Sequence, residues 1–156
     1  MTRVSAIHLV HFSHTDVGYT HDQSTVWDLH RRYVDRAVEL AARDIDDDGP
    51  AAFRWTFETT APLLAWLRTA TDEQVERFRR VEAAGRVEVT AMLANVTPLY
   101  GPAEFRESLR PVERLRERYG VDVRYAMNYD VNGLNWPVVD ALADAGIEGL
   151  WMGVNN

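Results

Sequence analysis

Short β-rich segments alternate with helical segments along this chain, and no two-residue turn signal joins two neighbouring strands as a hairpin. Ile7 to Phe12 is apolar and β-rich, and it ends in Ser13, His14, Thr15 and Asp16 before Gly18, which predicts a buried strand running into a polar loop. Trp27, Tyr33, Val34, Ala37, Val38, Ala41 and Ile45 recur at helical spacing, so a helix is expected from Ser24 to Ile45, stopped by the turn residues Asp46 to Pro50. The unit then repeats. Phe53, Trp55 and Phe57 alternate as a second strand ending at Glu58, a helical stretch follows from Ala61 to Ala70, and Thr71 with Gln74 reads as a capping box opening a helix that Gly85 closes. Val87 to Leu93 is expected as a third strand ending near Asn95, followed by a helix from Pro102 to Tyr119 that Pro111 kinks or splits before Gly120. Val121, Val123, Tyr125 and Met127 alternate as a fourth strand ending at Asp130. Pro137 opens a helix to Ala145, and Ile147 to Val154 is the fifth strand.

Strands and helices alternating in this order imply parallel βαβ units. No Gly-x-Gly-x-x-Gly follows the first strand and no Walker-type glycine-lysine motif occurs, so the open nucleotide-binding sheets lose support and a parallel β/α barrel is expected. Such barrels commonly need about 250 residues. Residues 1–156 therefore read as the N-terminal portion of a single barrel domain, truncated at the C-terminus, with about five βα units. The last strand would then be an uncovered apolar edge, from which homo-oligomeric association is expected.

Composition narrows the partners. With a net charge of -7 and a pI near 5.2, the chain does not suit a nucleic acid or an anionic membrane, both of which call for a basic face. A neutral polar ligand fits better. Without cysteine, no thiolate can serve as nucleophile or metal ligand, so any metal must rest on histidine, carboxylate and water. The N-terminal residues MTRVSAIHLVHFSH contain neither a signal-type apolar core nor a membrane-length run, and a cytoplasmic location is expected.

In a parallel β/α barrel the loops after the strand C-termini build the active face. Here the expected strands end in His14 and Asp16, then Glu58, Asn95, Asp130 and Asn155, so polar side chains gather at one rim. If the first strand persists through His14 and Asp16, their side chains leave on one face and can grip one borderline cation such as zinc. The residues taken alone leave plainer readings open. His14 and Asp16 can be polar loop residues, Glu58 a surface carboxylate, and Asp130 a turn or N-cap aspartate. His8, His11, His21 and His30 have no sequence partner that distinguishes them, and structural or surface roles are expected for them.

The string His11-Phe12-Ser13-His14-Thr15-Asp16-Val17-Gly18-Tyr19 resembles the signature His-x-Asp-x-Gly-Trp of glycoside hydrolase family 38, the α-mannosidase family, near the N-terminus of its catalytic domain. Tyr129-Asp130-Val131-Asn132-Gly133, followed by Trp136-Pro137 and Ala143-Asp144-Ala145-Gly146, resembles the segment around that family's nucleophilic aspartate. The resemblance implies a β/α barrel of the glycoside hydrolase and deacetylase type. It also implies a Zn2+ or other divalent ion on His14, Asp16 and Asp130, with Asp130 as nucleophile of a retaining hydrolysis of α-mannoside-like substrates. Tyr19 stands where the family usually has tryptophan and is expected as an aromatic floor for the sugar. Glu58 stands at a strand end that often carries a glutamate near the site, and is expected to touch substrate or to orient a ligand. The chain departs from the family in reading Val-Asn-Gly-Leu after Asp130 rather than Pro-Phe-Gly-His, keeping the Gly133 position, which bears on substrate contacts, and in reading Ala91 to Pro98 where Gly-Gly-Trp and acidic residues are common, which bears on specificity for mannose. Two other functions remain: a metal-dependent carbohydrate deacetylase, disfavoured by the lack of a His-x-x-x-His pair, and a non-catalytic sugar-binding pseudo-enzyme.

Overall fold

The computed structural model describes residues 3–153. Val154 and Asn155, expected to end the fifth strand, lie outside the described residues. The element order is α1 (Gln23–Arg43), β1 (Trp55–Phe57), α2 (Thr60–Leu67), α3 (Asp72–Ala83), β2 (Val87–Val89), α4 (Pro102–Ser108), α5 (Arg110–Arg114), β3 (Tyr125–Tyr129), α6 (Trp136–Asp144) and β4 (Gly149–Gly153).

β1 pairs in parallel with β2, and β3 in parallel with β4. A bond from Ala91 N to Tyr125 O (2.9 Å) carries the continuation of β2 onto β3, and one from Thr56 N to His11 O (2.8 Å) ties the N-terminal segment to β1. Neighbours thus follow sequence order, an arrangement of short parallel strands in which the described residues close no barrel. Phe57, Val87, Val89 and Ala126 point into one core with the helices. Thr56, Glu88, Tyr125, Met127 and Trp151 line a hollow of about 720 Å³ on the opposite face.

The helices follow from their apolar spacing. In α1 the buried positions are Val26, His30, Val34, Ala37, Val38 and Ala41, a stripe at three- and four-residue steps. One member of that stripe is a histidine. The capping box forms as read: Gln74 N donates to Thr71 Oγ1 (3.3 Å) and Thr71 N donates to Gln74 Oε1 (2.9 Å). Phe78 of α3 is fully buried edge-on to Phe57 and Trp66, with ring centroids 6.3 and 6.2 Å away. Pro111 splits the fourth helical stretch: α4 ends at Ser108, and the proline falls in the first turn of α5, where a missing N–H costs nothing. One π-helical turn, Leu115–Tyr119, then runs to Gly120, which adopts the left-handed conformation (φ 73°) that a residue with Cβ resists.

Two expectations on strands fail. Ile7 to Phe12 forms no ladder, and Ile7 and Leu9 are 81% and 80% exposed rather than buried. Apolar side chains there bury only if strands or helices flank both sides, and a single backbone bond to β1 does not supply that. Val121 and Val123 are buried as expected, but the alternation does not continue through Tyr125 and Met127 toward the helices. Regular pairing starts at Tyr125, where β4 becomes available, and from there Ala126 enters the helical core while Tyr125 faces the hollow. The phase has shifted between Val123 and Ala126.

Candidate functional site

His14 lies in the loop between the N-terminal segment and α1, and its two ring nitrogens face different partners. Nδ1 is 2.7 Å from Glu58 Oε1, at the end of β1. Nε2 is 3.7 Å from Asp16 Oδ1 and 3.5 Å from Asp130 Oδ2. The bond to Glu58 favours the tautomer with hydrogen on Nδ1, donating to the carboxylate and leaving the Nε2 lone pair directed at the two aspartates. Partial burial works against a charged His14, but the hydrogen bond and charge of Glu58, with Asp16 and Asp130, outweigh it and raise the pKa above 6.5.

One donor atom from each of His14, Asp16 and Asp130 lies within 4.8 Å of the others. Ligands at about 2.0–2.2 Å around a tetrahedral ion stand about 3.4 Å apart, so the His14–Asp130 separation of 3.5 Å and the His14–Asp16 separation of 3.7 Å already suit a shared cation. These two loop residues are not delivered by a continuous strand. Just after them, residues 17–21 turn through a Val17–His21 bridge, with Gly18 at φ 90°.

Asp130 arrives from the end of β3. Its N–H donates to Gly153 O (3.0 Å), the last rung toward β4, and its φ of 57° is left-handed, a conformation that aspartate tolerates better than most residues with a side chain. The chain leaves the strand there and the carboxylate meets His14. Glu58 is 8% exposed, and Thr90 Oγ1 donates to its backbone carbonyl (2.5 Å), fixing the strand end independently of the side chain. A cavity of about 490 Å³ opens over this group, lined by His14, Asp16, Glu58, Asn95 and Asp130 among others. Tyr19 is 88% exposed and does not line it.

Three further residues hold this rim together. Asn128, fully buried in β3, accepts from Val96 N and donates to Val96 O, both at 3.0 Å. Asn95, read above only as a polar strand end, accepts from Tyr129 N (3.0 Å) and approaches His14 Nδ1 (3.5 Å) with its amide nitrogen. His30 of α1 is 6% exposed and bonds Thr15 O through Nε2 (3.0 Å). A polar Asn between Met127 and Tyr129 and a His on the apolar stripe of α1 were the signals available.

Short parallel strands in sequential order, with a histidine and two aspartates gathered beside the ends of β1 and β3, make this an α/β domain with a candidate cation site. The profile of the glycosyl hydrolases family 38 N-terminal domain matches residues 5–154, and the chain belongs to that family. Among solved structures it is similar to the 4-alpha-glucanotransferase of Thermococcus litoralis, with a TM-score of 0.64 at 15% identity over 90% of this chain, a likeness of fold. The chain spans 21% of that protein's length. No curated protein sequence matches it significantly. Among the described residues no helix is long and apolar enough to cross a membrane.

Proposed function

We propose that this domain forms part of the active site of a metal-dependent retaining glycosidase acting on α-mannoside-like substrates, with His14, Asp16 and Asp130 as metal ligands and Asp130 as nucleophile. The observation that carries the reading is the convergence of these three donors within 4.8 Å, in a chain of family 38. The donor set is one imidazole and two carboxylates without sulfur, which suits zinc or a harder divalent ion. A bound cation there would hold neighbouring sugar hydroxyls and offset negative charge at the site.

The chain's own groups divide the remaining work. Glu58 holds the Nδ1 proton of His14, so Nε2 stays free to donate its lone pair. An Asp130 oxygen attacks the anomeric carbon, forming a glycosyl ester as the bond to the leaving oxygen breaks, and a carboxylic acid protonates that oxygen. Water then attacks the same carbon, gives its proton to that carboxylate and releases Asp130. Glu58 is committed to His14 and Asp16 shares the other side of the ring, so the acid is assigned to neither of them.

The test is hydrolysis of an aryl α-mannoside by the enzyme carrying this domain, with the product anomer followed by NMR. Retention of configuration, loss of turnover by at least about 10³-fold in Asp130→Asn and loss of bound metal in His14→Ala and Asp16→Ala are expected. Asn tolerates the left-handed φ of 57°, so the fold should survive. Near-normal turnover in Asp130→Asn, inversion, or full metal occupancy in both alanine variants refutes the reading. Acetate release in place of sugar release would point to the deacetylase instead.

A further inference from the structure

We infer that His30 is a positioning residue that sets the geometry of the metal ligands through the backbone carbonyl between them, an inference that rests on the metal reading above. Thr15 separates His14 from Asp16, and its carbonyl accepts from His30 Nε2 at 3.0 Å. A carbonyl held at a fixed direction fixes the plane of the Thr15–Asp16 peptide, and with it the point from which the Asp16 side chain leaves the chain, two residues after His14. The ligand loop has few other anchors. The preceding residues 3–11 are exposed, and Gly18 follows at φ 90°.

His30 is well placed to act as a fixed point. It is buried on a 21-residue helix whose stripe of Val26, Val34, Ala37 and Val38 is locked into the core. Its ring is held between Trp27 and Tyr33, with centroids at 5.9 and 6.1 Å, the latter edge-on. Burial lowers its pKa below 6.5 despite the bond to Thr15, which keeps the imidazole neutral, with hydrogen on Nε2 to donate and none on Nδ1. A buried imidazole needs a partner in any case, and the partner here is the carbonyl beside the site. Here the side chain spans from the rigid helix to the one carbonyl flanked by both ligands.

The experiment titrates the purified chain with Zn2+ against a chromophoric chelator and records thermal midpoints without metal, for the wild type, His14→Ala, His30→Leu and His30→Gln. Leucine keeps the volume and removes the donor; glutamine keeps an N–H donor on a side chain of similar reach. Supporting partners behind metal ligands are worth about 10- to 100-fold in affinity, so His30→Leu should bind Zn2+ about 10-fold more weakly or worse. His30→Gln should recover most of that loss even if its midpoint falls as far as that of His30→Leu. Wild-type affinity in His30→Leu, alongside weakened binding in His14→Ala, overturns this inference and leaves the metal reading standing. Equal losses in the leucine and glutamine variants also overturn it, since packing alone would then explain them. No Zn2+ binding by the wild type, or binding untouched by His14→Ala, overturns the metal reading and this inference with it.

Discussion

Replacing Glu58 separates the charge of the group behind His14 from its hydrogen bond. The Oε1–Nδ1 distance of 2.7 Å is that of a strong, charge-assisted bond, and at 8% exposure water competes little for the carboxylate. Glu58→Gln keeps an acceptor for the Nδ1 proton but not the charge; Glu58→Ala removes both. Loss of such a partner costs about 10- to 100-fold in metal affinity, which is about 1.4–2.8 kcal/mol. The burial and short distance place the alanine variant near the upper end, and the glutamine variant near about 10-fold. The backbone should stay in place in both, because Thr90 Oγ1 holds the Glu58 carbonyl rather than its side chain. Calorimetric titration with Zn2+ at pH 8, paired with urea unfolding of the metal-free protein, reads both quantities. Binding by Glu58→Ala within a factor of two of the wild type would refute the assignment of Glu58 as the group that orients His14.

Two predictions concern stability. Phe78→Ala should cost about 3–5 kcal/mol in urea unfolding, because the ring is fully buried against Phe57 and Trp66 and its removal leaves a void between α3, β1 and α2; a loss under 1 kcal/mol would mean that the core collapses freely around it. Glu88 of β2 has a buried Oε1 without a hydrogen-bond partner among the described residues, and burial first, then Asp122 and Glu82, raises its pKa from 4.5 against the opposing pull of Arg124. A carboxyl whose folded pKa exceeds its unfolded one binds more protons when folded, so its share of stability is complete below the unfolded pKa and is lost as pH rises through the folded one. Glu88→Gln should therefore raise the thermal midpoint at pH 7 and leave it close to wild type near pH 4; a lowered midpoint at pH 7 would show that the ionised carboxylate is satisfied after all.

Local signals read well where the residue type alone dictates the backbone. Thr71 with Gln74, Pro111 after Ser108 and Gly120 before Val121 each fix a helix end by a donor or a φ value that no distant contact alters. Strand positions read less well, because a strand is completed by its neighbours. Ile7 to Phe12 has the composition of a buried strand but lacks the flanking partners that would bury it, and Tyr125 takes its face from β4 rather than from the alternation begun at Val121. The site divides in the same way. His14, Asp16 and Asp130 were singled out through the resemblance of their segments to the family 38 motifs, since their residue types at expected strand ends left loop and turn readings open. The supporting groups were not visible, since the Asn128–Val96 pair and the His30–Thr15 bond span 32 and 15 residues and leave no spacing pattern.

That division bears on how the site tolerates sequence change. The three proposed ligands come from one loop and one strand end, and each is fixed by a different kind of restraint. His14 is held by a side chain, Glu58; the peptide beside Asp16 is held by a buried ring, His30; and Asp130 is held by its own left-handed backbone and its bond to Gly153. The segments after Asp130 and after β2 depart from the family pattern, yet Asn95 and Asn128 stitch the second to β3 and the Thr97–Asn132 bond ties the two segments together. These bonds engage backbone groups, which any residue supplies. Side chains facing the cavity at Leu93, Ala94 and Val131 can therefore vary without disturbing the donors. Backbone-directed bonds at the rim thus keep the three donors in place, and these cavity side chains carry none of that framework.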